Sequence, residues 1–133
     1  MSSTITRGNP PHLKNVRSNI YNHYVRVDNP QSLIFLSGQL SRDADGQLVG
    51  PGDMAEQTRQ AIRNMETVMK EAGGTLENIV SIVVYTTDIR QFKEIVQARM
   101  EFFKSNLPTS TIVEVTHLAD PGLLIEFQAT AAL

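Results

Sequence analysis

At 133 residues the chain is of a size that holds one hydrophobic core. Hydrophobic residues make up 41% and charged residues 20%, a globular balance that excludes a disordered tail, a collagen-like repeat and a coiled coil. Twelve Lys and Arg against fourteen Asp and Glu leave a formal charge of −2, too little positive field for a general nucleic-acid binder. The absence of cysteine excludes a disulfide scaffold, thiolate metal sites and a cysteine nucleophile. Apolar runs stop far short of the roughly 20 residues that span a bilayer. The first eight residues hold no apolar signal core, so a cytoplasmic protein with no membrane partner is expected.

Taken in chain order, residues 1–20 read as a loop-like N-terminal segment. They are polar, with Pro10-Pro11 and the asparagines Asn9, Asn15 and Asn19, and order is expected from Tyr21. Tyr24 to Val27 and Leu33 to Ser41 are rich in apolar and β-branched residues, and Asp28-Asn29-Pro30-Gln31 between them is a turn. That pairing predicts a β-hairpin. Leu33-Ile34-Phe35-Leu36 is apolar at every position, so this strand is expected to be buried on both faces. A second turn, Asp43-Ala44-Asp45-Gly46, leads to Leu48-Val49.

Asp53 to Ala72 is predicted as a helix. Asp53 with Glu56 three residues on starts it like a capping box, and Ala61, Ile62, Met65, Val68, Met69 and Ala72 form one apolar face. Gly73-Gly74 stops it in the left-handed conformation. Ile79 to Thr87 follows as a strand, and Asp88 caps a second helix expected to reach about Lys104. Pro108 separates that helix from a strand at Thr111 to Thr116, and Leu123 to Ala131 forms the last strand. The fold class is therefore α+β: one mixed sheet covered on one face by two helices, in a single domain.

No phosphate-binding loop, dinucleotide fingerprint or nucleophile elbow is present. His12, His23 and His117 are too dispersed for a metal motif, so no metal is expected. Two residues stand out against their surroundings. Arg99 falls on the apolar stripe of the second helix with Phe92, Ile95 and Val96, where a guanidinium must snorkel, pair, or face a cleft or subunit interface. Glu126, inside Leu123-Leu124-Ile125-Glu126-Phe127, is costly as an ionised carboxylate unless it is hydrogen-bonded, used, or on an exposed face.

Several stretches resemble the reactive-intermediate deaminase (RidA, or YjgF) family. They are Leu36-Ser37-Gly38-Gln39, residues 55–64 of the first helix, Ala72-Gly73-Gly74, Val83 to Asp88, Phe102-Phe103, and Pro108 with Val113-Glu114-Val115. The resemblance runs in order over about residues 21–133. It implies a chorismate-mutase-like sandwich assembled as a homotrimer, with three sheets around a central barrel and ligand clefts between subunits. The activity it implies is cofactor-independent hydrolysis of a 2-imino or enamine carboxylate to a 2-oxo acid and ammonia. Carried over residue by residue, it makes Glu126 and Tyr24 catalytic. Ser37, Gly38 and Gln39 line the cleft, and the backbone at Thr111 and Ile112 holds the substrate carboxylate.

The family's carboxylate-pairing arginine falls on Ser110 in this chain. Arg99, where the family has tyrosine on the second helix, is the substitute cation expected to bind substrate beside Ser110. His117-Leu118, Pro121 and residues 123–126 also resemble the 2-aminomuconate deaminase branch. A non-catalytic trimer that binds a small metabolite is the alternative, and an endoribonuclease a remote one, disfavoured by the charge.

Overall fold

The computed structural model describes residues 2–133. Its main sheet has four strands in the order β3-β6-β4-β5: β3 (Leu33–Leu40), β4 (Ile79–Thr86), β5 (Thr109–Glu114) and β6 (Ile125–Ala132). β6 runs antiparallel to both neighbours, whereas β4 and β5 are parallel, joined by a crossover through the helix α2 (Phe92–Met100). The longer helix α1 (Met54–Glu71) connects β3 to β4, and both helices cover the same face of the sheet. This is the α+β arrangement predicted.

α1 forms as its sequence demands. The Asp53 carboxylate accepts from the Glu56 N–H at 3.0 Å, one of the donors a helix start leaves unpaired. Ala61, Ile62, Met65 and Met69 are fully buried against the sheet, and Gly73 at φ +93° ends the helix. Gln57, polar yet fully buried, ties two loops together. Its amide donates to the Gly50 and Gly122 carbonyls and accepts from the Leu124 N–H, so its polar atoms are satisfied.

The N-terminal half corrects two expectations. Residues 1–20 are not all loop, because β1 (Thr4–Gly8) pairs antiparallel with β2 (Tyr24–Asp28) as a separate two-stranded sheet. Thr4, Ile5 and Thr6 are β-branched, which suits a pleated surface. The predicted hairpin is also absent: β2 pairs with β1, and β3 pairs with β6. The reason lies at the turn. The Gln31 N–H donates to the Leu133 carbonyl at 2.8 Å and the Leu133 N–H donates to the Ser32 carbonyl at 2.9 Å, so the start of β3 is captured by the segment that follows β6.

β3 is buried on one face only. Leu36 is in the core and Ile34 packs against it, while Leu33 is 54% and Phe35 76% exposed on the face the helices leave open. Val113 on β5 is exposed as well. α2 is shorter than expected. It follows a 3-10 turn at Ile89–Gln91 capped by Asp88 and ends at Met100, after which the Phe102 and Phe103 N–H groups both return to the Arg99 carbonyl.

Candidate functional site

Arg99 lies in the last turn of α2, on the face turned toward β5. It is 4% exposed and does not snorkel. Its Nη1 donates to the Ser110 hydroxyl at 2.8 Å and its Nη2 to the Ile20 carbonyl at 3.2 Å, while its buried Nε has no partner. The guanidinium carbon sits 5.8 Å from the centre of the Phe103 ring. No carboxylate among the described residues forms an ion pair with it. Burial pushes its pKa down to about 10, which still leaves it protonated at neutral pH. A guanidinium carries five donors, and two are in use here.

Arg99 and Ser110 open onto a cleft of about 640 Å³. Phe92, Ile95 and Val96 of α2 form one wall and Ile112 of β5 another. The third wall, Arg17, Ile20 and Tyr21, comes from the strap of residues 9–23 between β1 and β2. Side-chain amides fasten this strap. Asn15 donates to Asn9 Oδ1 at 2.9 Å and to the Tyr21 carbonyl at 2.7 Å, and Asn22 donates to the Leu107 carbonyl at 2.9 Å. The strap residues are the part of the cleft that sequence reasoning missed. Their only signal was an asparagine-rich stretch, which marks turns as readily as walls.

A second cluster forms where β3 meets β6. Their register slips between Leu36 and Gln39, so Ser37 and Gly38 form a bulge opposite the segment that carries Glu126. A Cβ on Gly38 would overlap the Glu126 carboxyl group, so only glycine lets that side chain lie there. Gln39 donates to the Ser37 carbonyl at 3.2 Å. Glu126 is half-buried and stands in register with Leu40 on one side and Tyr85 on the other.

The structure therefore brings together Arg99, Ser110 and Ile112 in one place and Ser37, Gly38, Gln39 and Glu126 in another. Thr111, between two cleft residues on β5, is exposed, as the alternation of a strand requires. Tyr24 belongs to the two-stranded sheet, where it packs across Gly8, its partner in register. In one chain β6 lies two strands from β5, about 10 Å at the usual strand spacing, and β3 about 14 Å away. Among the described residues no three metal-ligating side chains converge. No helix among them is long and apolar enough to cross a membrane.

Comparison with known proteins follows the same lines. The family model described as Endoribonuclease L-PSP matches residues 15–133. The human 2-iminobutanoate/2-iminopropanoate deaminase is 37% identical over 112 residues, which cover 84% of this chain and 78% of that protein. Among solved structures, the Yersinia pestis protein YyfB, of the conserved Rid family and of unknown function, superposes with a TM-score of 0.89. It is 27% identical, with 97% of this chain and 98% of that one covered. Escherichia coli TdcF with bound serine superposes with a TM-score of 0.71 at 26% identity, over 83% of this chain and 87% of that one. Sheet, helices and sequence agree: this chain belongs to the Endoribonuclease L-PSP family, the YjgF/RidA proteins.

Proposed function

We propose that this chain is a single-domain, cytoplasmic imine or enamine deaminase that works as a homotrimer without a cofactor. The observation that carries the reading is the buried Arg99 guanidinium, held by Ser110 at 2.8 Å with an unused Nε beside an open cleft. A buried cation without a carboxylate of its own is stabilised by a ligand anion. Arg99 and the backbone at Thr111 and Ile112 bind the substrate carboxylate. Glu126 positions a water against the iminium carbon and takes its proton, with Tyr24, Ser37, Gly38 and Gln39 around it. Water adds to the C=N carbon, the nitrogen is protonated, and the carbinolamine breaks its C–N bond to give the 2-oxo acid and ammonia.

The two residue clusters lie too far apart in one chain to share a small ligand. A trimer in which the β5 edge of one copy faces the β3/β6 bulge of the next unites them. The exposed Leu33, Phe35 and Val113 favour such burial. The substrate is a small 2-imino or enamine carboxylate, with 2-aminomuconate-like compounds a further candidate.

Ammonia release from 2-aminoacrylate, generated in situ from serine, tests the reading. Wild-type protein is expected to accelerate release above the spontaneous rate, and Glu126→Gln to lose about 10²–10⁴-fold of that acceleration. Ser110 in place of the family arginine favours a second reading, a trimer that binds a small metabolite without hydrolysing it. Absence of acceleration by the wild-type protein, together with measurable 2-oxo acid binding, selects that one.

A further inference from the structure

The Arg99 cleft is chemically one-sided. Within one chain its one buried charge is the guanidinium at Ser110 and no acidic residue lines it, so the only carboxylate the proposed trimer brings to it is Glu126 of the neighbouring copy, at the reacting carbon. Phe92, Val96 and Ile112, all half-buried, present apolar surface to the same space. The second cation, Arg17, is exposed and already lies over the Phe92 ring at 4.9 Å. The cleft thus offers one strong anion anchor, an extended apolar wall and one weak, solvated cation.

We propose that this cleft selects 2-imino and 2-oxo acids whose side chain is apolar and larger than ethyl, with the carboxylate on Arg99 and the side chain on Phe92, Val96 and Ile112. The proposal rests on the deaminase reading of the same cleft and names the substrate class it takes. Two ways of gripping the far end of a ligand compete here. A second carboxylate would find only Arg17, and an ion pair at that exposure adds little to affinity. An apolar chain gains about fourfold for each methylene it buries. Apolar burial wins. The space is sufficient, because about 640 Å³ lies well within the range of sites for ligands far larger than a three-carbon acid. Ser110 contributes by being short. It orients Nη1 through its hydroxyl and leaves room beside Ile112 that a longer side chain would fill.

Calorimetric titration of the assembled protein with pyruvate, 2-oxobutanoate, 4-methyl-2-oxopentanoate and 2-oxoglutarate tests this. Affinity is expected to rise along the first three by at least about tenfold in all, with 2-oxoglutarate no tighter than pyruvate. Val96→Asn, at a half-buried position in the cleft wall, should flatten the series to within about threefold. A flat series in the wild-type protein, no binding of any of the four acids, or tightest binding of 2-oxoglutarate overturns the proposal. The ammonia-release assay keeps the two readings apart. A graded series without turnover removes the deaminase and leaves the selectivity, whereas turnover with a flat series does the reverse.

Discussion

The two ends of the main sheet solve opposite problems. At the β5 end a long cation is buried against a short hydroxyl, its Nε unpartnered, in the wall of a cleft. At the β3/β6 end a carboxylate is accommodated because Gly38, in the bulge beside it, has no side chain at all. One end is built by filling space and the other by emptying it. The comparison teaches that charge placement in this fold depends on the partner position as much as on the charged residue. It also bears on the proposed trimer, because cation and carboxylate stand on well-separated strands of the same sheet.

Breaking the assembly should have the largest effect. Phe35→Asp puts a charge at a residue that is 76% exposed in the single chain and buried in the proposed trimer. Sedimentation should show monomers in place of trimers, deaminase turnover should vanish, and far-UV circular dichroism should stay unchanged. Trimers that persist in this variant count against the assembly as drawn.

Filling the emptied end comes next. Gly38→Ala puts a methyl group where the Glu126 carboxyl lies, so that side chain must swing away: turnover should fall at least about tenfold while stability in chemical denaturation changes by less than about 1 kcal/mol. If turnover is unchanged, the position of the Glu126 carboxyl beside Gly38 is not the one used in the reaction.

Emptying the filled end is a smaller perturbation. Arg99→Met should weaken 2-oxo acid binding by about tenfold, roughly 1.4 kcal/mol. Stability should change by less than about 1 kcal/mol, because the lost hydrogen bonds to Ser110 and Ile20 are offset by removal of a desolvated charge. Normal binding together with a dissociated trimer would instead make Arg99 an interface residue.

The smallest effect lies at the other terminus of α2. The Arg90 side chain, with help from Gln91 and the Arg90 N–H, holds Asp88 at a pKa of about 2. A carboxylate depressed in the folded state contributes stability that is present above the ordinary aspartate range and is lost as pH falls through about 2. Asp88→Asn should therefore lower the neutral-pH thermal midpoint slightly and flatten a small part of the acid limb, the two proteins converging as pH falls through about 2. An unchanged acid limb would mean that the exposed pair holds nothing in solution.

How legible these features were depended on how local their causes are. α1 could be read almost to the residue, since cap, period and glycine stop all lie within its own twenty positions. β1 could not, because its partner sits sixteen or more residues away and five residues carry too little pattern to declare a strand. The missing hairpin is the same lesson: the turn at Asn29 was real, with φ +52°, but Leu133 decides where β3 goes. Arg99 and Ser110 could each be seen as departures from their surroundings. Their 2.8 Å contact could not, because no local rule relates a helix position to a strand eleven residues later. Gln57 was invisible for a different reason. A buried amide between helical polar residues looks the same as an exposed one until the loops it holds are known.

The position of β6 has a consequence for how the molecule is made. It follows every other described strand in sequence, yet it is hydrogen-bonded on both sides, to β3 and to β4. While a ribosome is still synthesising residues 125–132, β3 and β4 have emerged with no strand between them. Their Leu33–Leu36 and Ile79–Val84 segments then offer bare edges to any neighbour. Pairing across so long a stretch of sequence is slow, and the waiting intermediate is aggregation-prone. A stalled or truncated product lacking β6 should therefore be found in inclusion bodies rather than in solution.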